Sequence, residues 1–574
     1  MGERKSPGHS ITEEKSAVAP IEGVPSGIGA FVGFAEWGPI GESIKINTFE
    51  EAKAKLGNFL ANAFLMYELF IWFKISKGGT VYVVRTAHYT DITDPDTLVA
   101  VKASEDLLNG VTPVVTINGK YHGVMGNKIS AKATRTNKIN TDIAEDLTTV
   151  ATNIVLENVN GIIQGSVIFI TDTTNDVLVR VTSIVSSQKR IYFDRLTVQG
   201  ADIIKGVNSS AKSRDFQLEV YFENSLVETI DNLSMYPENV VEYVETKVDE
   251  ESDWIEAIDL SAGLEPEEPT DDQTIELTGG DDGLDAVVDQ DLVGSETGKT
   301  GLYAFDPVDE QLNISIPEVQ SATIAQGIMN YCEARKYRYG IVDIPFDQTP
   351  DEAVEFVEDN ALVSNYISTF YPHVKIADPL TGQNKLIPIS GVALGQLANI
   401  HSQVGKGPWT AFAGVEDGRL RFINALESEW TNDETYRDVL YPKNINPVYF
   451  KKGYGFLLYG VRNLEVIGGE FPQIPERLTF LFAEQAIDDG TQWVEFQNND
   501  ISLEKRFTRS VKQFLRGLWA DGGLRGATEE EAFEIVIDES FRGTKDFKAK
   551  IGLATHKATE FVYINFHKKV KETV

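Results

Sequence analysis

Few side chains of this chain are arranged for covalent catalysis. Its seven histidines are scattered, and no pair has the i, i+4 spacing with which two imidazoles on one helix hold zinc. The one cysteine, Cys332, lies inside a predicted helix, where a buried structural thiol is favoured over a nucleophile. Asp343 and Asp378 follow buried-looking strands, a position that hosts active sites in open α/β sheets, but no serine and histidine accompany them at a recognisable spacing. We therefore expect no catalytic residue, no metal site and no cofactor.

Three stretches approach ligand-binding motifs but miss the required pattern. In "GSETGKTG" (294–301), three residues instead of four separate the first glycine from the Gly-Lys pair of a phosphate-binding loop. "GIGAFVG" (27–33) is one residue off the dinucleotide fingerprint, and no convincing helix follows it. "DDGLDAVVDQD" (281–291) lacks the alternating Asx ligands and the closing glutamate of a calcium loop. The sequence thus favours neither nucleotide nor calcium binding.

A different pattern suits electrostatic recognition. The chain has 87 acidic and 52 basic side chains, yet residues 503–519, "LEKRFTRSVKQFLRGLW", concentrate basic ones. At 100° per residue, four of these fall on one helical stripe: Lys505, Arg509, Lys512 and Arg516. Apolar side chains fall on the opposite face: Leu503, Phe507, Val511, Phe514 and Leu518. Two interpretations stay open, a solvated face of a packed helix and a docking strip for an acidic partner.

The composition limits the class of protein. The 574 residues are enough for several domains, and a single cysteine excludes an intrachain disulfide framework and is compatible with a reducing cytoplasm. The N-terminal stretch has no apolar core, so it does not have the pattern of a secretory signal. The apolar stretch "AFLMYELFIWF" (63–73) is too short for a bilayer and predicts a buried helix. The net charge of −35 argues against nucleic acid as a partner, because phosphate neutralisation needs basic surface.

The first segments combine an irregular tail with an α/β unit. Residues 1–22 are polar and aperiodic, which fits either a disordered tail or an arm that becomes ordered on a partner. Residues 23–105 contain an apolar strand, a helix opened by a capping box of Thr48 and Glu51, and a second strand, "GGTVYVVRTA". A helix between strands indicates an α/β layer.

The later segments change character three times. Residues 106–264 have short alternating runs rich in Thr, Val and Ile, which predict an inserted β-sandwich or small barrel. Residues 265–296 hold twelve acidic and no basic side chains and are predicted to be an exposed connection. Helices and strands then alternate again up to about residue 470, as in a second α/β segment with parallel strands. The last segment contains the basic helix and two predicted strands, "AFEIVIDES" and "EFVYINFHKKV".

Several segments together resemble the contractile tail sheath family of bacteriophages and related injection machines. They are "GVPSGIGAFVGFAEWGPIGESIKINTFEEAKAKLG" (23–57), "LTGGDDG" (277–283), the stretch 371–414, and "LEKRFTRSVKQFLRGLWADGGLRGATEEEAFEIVIDES" (503–540). Each match is weak alone, but their order and spacing are specific. Residues 106–264 do not match a common core of the family.

The resemblance implies a structural protein and not an enzyme. Sheath subunits stack as hexameric rings around an inner tube and contract to drive the tube through a host envelope. The implied partners are further copies of the chain, the inner tail tube protein, and baseplate and tail terminator proteins, without nucleic acid or membrane insertion. The implied place is the tail of a virion assembled in the host bacterial cytoplasm. The sheath of a bacterial injection device and, more remotely, an α/β hydrolase remain alternatives.

The resemblance also implies a domain plan and roles for particular residues. The fold class is mixed α/β and multidomain, with a sheath core and an inserted β-rich outer domain. The implied segments are an N-terminal arm (1–22), an α/β middle domain in two parts (23–105 and 265–469), the outer domain (106–264), an inner domain facing the tube (470–559) and a C-terminal strand (560–574). The implied tube-binding residues are Lys505, Arg506, Arg509, Lys512 and Arg516. The implied strand-exchange residues are Val562, Ile564 and Phe566.

Overall fold

The computed structural model describes residues 21–206, 208–237, 239–261, 267–428, 434–466 and 468–562. The N-terminal elements are β1 (Ile28–Gly33), β2 (Ser43–Ile46), α1 (Phe49–Leu56), α2 (Leu65–Ser76) and β3 (Val81–Arg85). The next elements are β4 (Ser104–Asn109), β5 (Thr112–Gly119), β6 (Ile129–Arg135), β7 (Asn140–Asp142), β8 (Asn153–Val155), β9 (Val167–Thr171), β10 (Asp176–Val185), β11 (Arg190–Arg195), β12 (Ser210–Ser213), β13 (Asp215–Phe222), β14 (Ser225–Ser234), α3 (Val244–Glu251), β15 (Ile255–Asp259) and β16 (Gln273–Glu276).

The second half of the chain returns to alternating helices and strands. Its elements are α4 (Asp289–Val293), β17 (Leu312–Ser315), α5 (Ala322–Ala334), β18 (Arg338–Val342), α6 (Pro350–Asp359), β19 (Ile367–Tyr371), β20 (Val374–Ala377), β21 (Asn384–Ile387), α7 (Ser390–His401), α8 (Gly414–Asp417), β22 (Ala425–Leu426), α9 (Glu434–Leu440), β23 (Asn446–Lys451) and β24 (Gly455–Leu458). The C-terminal elements are α10 (Ile474–Thr491), α11 (Ile501–Ala520), α12 (Glu529–Ala532), β25 (Phe533–Ile537) and β26 (Ala549–Leu553).

An eight-stranded sheet organises the α/β part, in the order β2-β3-β1-β17-β18-β19-β23-β24. Its six inner strands pair in parallel, whereas β2 and β24 at the two edges pair antiparallel. Both faces are covered, as parallel sheets require. Phe31 of β1 points into a core with α2 and α7, whereas Ala30 and Val32 point into a second core with α5. The mixed α/β class expected from the sequence is confirmed.

Local signals in this part form the predicted elements. Thr48 Oγ1 accepts a hydrogen bond from Glu51 N at 3.1 Å, so Thr48 caps α1 as predicted. Glu51 Oε2 accepts from Asn47 N at 2.8 Å, one residue before the cap, and not from Thr48 N as the predicted capping box requires. The apolar stretch at 63–73 forms the buried helix α2. Within the described ranges, no helix is long and apolar enough to cross a membrane.

A β-rich region lies between β3 and β17, two strands that both pair with β1. Its strands form antiparallel sheets of six (β7-β12-β9-β10-β11-β8), four (β14-β13-β6-β16) and three (β15-β5-β4) strands. The four- and three-stranded sheets share one hydrophobic core, and the six-stranded sheet has another. The chain therefore leaves the eight-stranded sheet, builds separate cores and returns to it.

The acidic stretch 265–296 differs from the prediction of an exposed connection. Residues 273–276 form β16, which pairs with β6, and Leu277 is fully buried. Asp291 is also buried, with Oδ1 accepting a hydrogen bond from Tyr89 N at 3.2 Å. For these residues the prediction was wrong, because local charge density does not show which carboxylates meet partners from distant segments; much of the rest of the stretch is exposed, as predicted.

Candidate interaction surface

Helix α11 has the two faces that the sequence predicts. Asp500 caps its N-terminus by accepting a hydrogen bond from Leu503 N at 2.9 Å. The predicted apolar side chains are all buried: Leu503, Phe507, Val511, Phe514 and Leu518. All of them except Leu503 pack on α10 and on the β25–β26 hairpin in one hydrophobic cluster. This packing fixes the orientation of the helix, and so directs its opposite face to the surface.

That opposite face, called the basic face below, consists of Lys505, Arg506, Arg509, Lys512 and Arg516. Lys505 and Arg509 are exposed, and no ion pair or hydrogen bond joins either side chain to another described residue. The half-buried Arg506 stacks on Trp493, with its guanidinium 4.5 Å from the ring centroid. The five predicted cations thus share one helix but differ in how available their charges are.

Glu529 neutralises the C-terminal end of the basic face. Its carboxylate accepts from Arg516 Nε at 2.5 Å and also pairs with Lys512. These hydrogen bonds, with Lys512 the stronger influence, hold the pKa of Glu529 below its usual range. Sequence reasoning missed this residue. Its signal was the acidic "TEEEAFE" stretch shortly after the basic helix.

The one acidic residue within the basic stretch is neutralised separately. Glu504 binds the Arg542 guanidinium in a two-point pair, with N–O distances of 2.7 Å for both bonds. That contact holds the pKa of Glu504 below its usual range. Glu504 is therefore paired with Arg542, and neither Lys505 nor Arg509 forms an ion pair with a residue of the described chain.

The β25–β26 hairpin lies against the same helix pair. Its inward side chains, such as Ile535 and Ile551, join the apolar cluster, whereas Val536 and Lys550 are exposed. No third strand pairs with either strand within the described ranges. A groove of about 440 Å³ lies beside β26, and its apolar lining includes Phe480, Ile487, Phe507, Ile551 and Leu553. An open strand edge next to an apolar groove can accept an added strand.

The first and the last described residues of the chain both lie near this unit. Ile21, the first described residue, is 8% exposed and packs in the cluster with Phe482 and Phe514. At the other end, Glu560 pairs with Arg462 at 2.5 Å and accepts from Gln473 Nε2 at 2.8 Å. Beyond this anchor, Val562 is 73% exposed and lies outside any strand. Two of the predicted strand-exchange residues lie outside the described residues: Ile564 and Phe566.

The candidate catalytic residues occupy structural positions. Cys332 is fully buried, which raises the pKa of its thiol. Asp378 closes a turn, accepting from Leu380 N at 2.9 Å and from the Thr381 hydroxyl at 2.9 Å. The stretch 294–301 leads into a buried 3-10 helix, Gly301–Phe305. In the described part of the chain, no group of three or more potential ligands could hold a metal ion.

Buried carboxyls do occur at the C-terminal edge of β18. Asp343 accepts from Ser390 N at 3.2 Å, at the start of α7, and burial raises its pKa to about 7. Glu68 of α2 is fully buried, and neither of its carboxyl oxygens has a hydrogen-bond partner. Burial, and then the charge of Asp343, raise the pKa of Glu68 well above its usual value. Burial likewise raises the pKa of Glu318 to about 7.

Comparison with known proteins gives a consistent set of similarities. No protein-family model matches the chain. A tail sheath protein of Vibrio phage KVP40 is 28% identical over 216 residues, which are 37% of this chain and 31% of that protein. A tail sheath protein of Enterobacteria phage T4 is 23% identical over 306 residues, which are 51% of this chain and 45% of that protein. The matched regions span less than half the length of either relative.

Solved structures were also compared. The sheath tail protein of Listeria innocua is 11% identical, with a TM-score of 0.48, over 93% of this chain and 96% of its own. The contracted sheath of the extracellular contractile injection system PVC is 22% identical, with a TM-score of 0.39, over 45% of this chain and 71% of its own. The curated similarities confirm the resemblance first seen in the sequence segments. They are to structural tail sheath proteins and not to enzymes.

Proposed function

We propose that this chain, which is similar to phage tail sheath proteins, is a structural subunit of a contractile tail sheath. It polymerises as hexameric rings around an inner tail tube and contracts to drive the tube through the host envelope. The observation that supports this best is the C-terminal part of the described chain, where helices α10 and α11 pack with the β25–β26 hairpin. Here α11 exposes two cations that form no ion pair, Lys505 and Arg509, and the hairpin is a two-stranded sheet with open edges. A subunit that must hold a cylinder and its own copies needs both kinds of contact.

The contact with the tube is electrostatic in this proposal. The sheath must release the tube on contraction, and screened charged contacts break with a smaller barrier than a hydrophobic seam. The exposed Lys505 and Arg509 supply such contacts, because no acid within the described chain competes for them. Their partner is an acidic patch on the tube surface.

The contacts between subunits are strand additions. Backbone pairing survives large rearrangements, because it depends little on the exact side-chain packing of the two subunits. The open hairpin edges and the groove beside β26 support this role as acceptor. The donors are the N-terminal arm, residues 1–22, and the C-terminal strand with Val562, Ile564 and Phe566. Ile21, where the described part of the N-terminal arm begins, and Glu560, at the start of the C-terminal segment, both contact their own subunit.

The remaining partners and the location follow from the same proposal. The sheath ends bind baseplate and tail terminator proteins, and the polymer is part of a virion that assembles in the host cytoplasm. The two curated relatives described above are phage proteins, which favours a phage over a bacterial injection device. The β-rich region between β3 and β17 forms the outer surface of the polymer.

Reversing the two free charges tests the tube contact. Lys505→Glu combined with Arg509→Glu is expected to weaken co-assembly with cognate tubes by about tenfold or more at low salt, since two attractive contacts become repulsive. The measurement is co-sedimentation with preformed tubes over a salt series. The wild-type interaction itself should weaken as salt rises.

A matched control reverses the charge of two exposed lysines that are far from α11 in the sequence, Lys189→Glu with Lys212→Glu. It changes the net charge by the same amount. Near-wild-type co-sedimentation of this control, together with unchanged circular dichroism of both variants, would locate the effect on the basic face. Equal co-sedimentation of the Lys505/Arg509 variant and the wild type at every salt concentration would refute the tube contact.

A further inference from the structure

The backbone around Glu529 is fixed by its neighbours on both sides. Glu529 begins the short helix α12, which runs directly into β25 through the buried Ala532 and Phe533. The loop before it is tied down on both sides, because Trp519 Nε1 donates to Gly526 O at 3.2 Å and Ala527 N donates to Glu531 Oε2 at 2.8 Å. Its own carboxylate side chain is only 18% exposed.

The cations that Glu529 holds are more open than Glu529 itself. Their side chains are 41% exposed for Lys512 and 57% exposed for Arg516. An approaching acidic surface can therefore reach both cations from the solvent side while Glu529 stays behind them. Such half-exposed pairs are weak in water, so an external carboxylate can compete for them. The neighbouring Glu530 is exposed, and no ion pair joins it to a described residue.

We propose that Glu529 is a built-in competitor that divides the basic face, apart from Arg506 on Trp493, into a permanently available half, Lys505 and Arg509, and a masked half, Lys512 and Arg516. This inference rests on the proposed tube contact and states how the strength of that contact is regulated. The first half gives a weak initial contact with an acidic tube surface. The second half adds to the contact only when tube carboxylates share its cations with Glu529. The competition keeps each subunit's grip on the tube weak enough to be broken during contraction.

Neutralising the competitor tests the inference directly. Glu529→Gln keeps the size of the side chain and removes its charge, so it is expected to tighten binding of the full chain to cognate tubes by about three- to tenfold. Glu530→Gln makes the same change of net charge one residue away and is expected to leave binding within about twofold of wild type. Binding is measured by co-sedimentation at low salt.

A double-mutant cycle separates masking from a purely structural role. In a chain that already carries Lys512→Gln and Arg516→Gln, the change Glu529→Gln is expected to give no gain, because no masked cation remains. A gain of the same size in that background, or equal gains from Glu529→Gln and Glu530→Gln, would overturn the inference.

Amine labelling reads the masking without any tube. With acetyl N-hydroxysuccinimide ester and mass spectrometry, Glu529→Gln is expected to raise the labelling rate of Lys512 several-fold and to leave Lys505 unchanged. Unchanged labelling of Lys512 would contradict the masking. If the Lys505/Arg509 reversal has no effect on tube binding, the proposed tube contact fails. If that reversal weakens binding but Glu529→Gln does not strengthen it, only the competitor role fails.

Discussion

A chain that begins at Ile21 is expected to fold like the full chain and to lose polymerisation around tubes altogether. The fold is retained because Ile21 and Val24, which pack against α10 and α11, remain in place. Polymerisation is lost because the deleted residues, 1–20, are the proposed donor for the hairpin edge of another subunit. The measurement is the fraction of protein that pellets with tubes at high speed, with circular dichroism and thermal melting of the soluble chain as the check on folding.

A chain of full length with residues 2–20 in scrambled order is the matched control for this deletion. It keeps the length and charge of the arm but changes its pairing pattern, so it is expected to polymerise poorly as well. Normal pelleting of the truncated chain would contradict the arm. Normal pelleting of the scrambled chain alone would mean that the arm acts through its charge and not through strand pairing.

The buried carboxyls near β18 are expected to destabilise the α/β core increasingly as pH rises from about 4 to 7. Asp343 and Glu318 have folded-state pKa values of about 7, above the usual value of about 4 in an unfolded chain. In that window the unfolded state releases protons that the folded state retains, so the free energy of unfolding decreases. Below this pH window the carboxyls are protonated in both the folded and the unfolded state, and they no longer lower the free energy of unfolding.

Asp343→Asn removes this titration and keeps an oxygen for the bond from Ser390 N. The unfolding free energy of the variant minus that of wild type is expected to increase by on the order of 3 kcal/mol when the pH is raised from roughly 4 to 8. Whatever constant cost the amide brings cancels in that comparison. Denaturant unfolding at both pH values measures the gain. The exposed Asp285→Asn serves as the control, and an equal pH response of the two variants would refute the assignment to Asp343.

Local sequence patterns predicted the elements but not the contacts between distant ones. The spacing of Leu503, Phe507 and Val511 predicted which face of α11 is buried, because a helix repeats every 3.6 residues whatever surrounds it. The cap that Thr48 provides at the start of α1 is equally local. Which cations of α11 stay free depends instead on a loop that brings Glu529 back to Lys512 and Arg516.

The acidic stretch 265–296 illustrates the same limit over a longer distance. Asp282 lies 3.4 Å from the fully buried Arg85, which also donates to Gly38 O at 2.7 Å and to His122 O at 2.9 Å. Burial of this guanidinium lowers its pKa to about 10, and the partly buried carboxylate of Asp282 is its charged neighbour. A charge count along the sequence cannot reveal such pairing, because the partner belongs to a strand far earlier in the chain.

Electron microscopy of the purified full chain mixed with its cognate tube protein is the most direct test of the proposed function. Helical sheaths with six subunits per ring around each tube, and shorter, wider sheaths without a bound tube after triggering, are the predicted result. A chain that stays monomeric beside bare, intact tubes over the whole range of salt and protein concentration would contradict it.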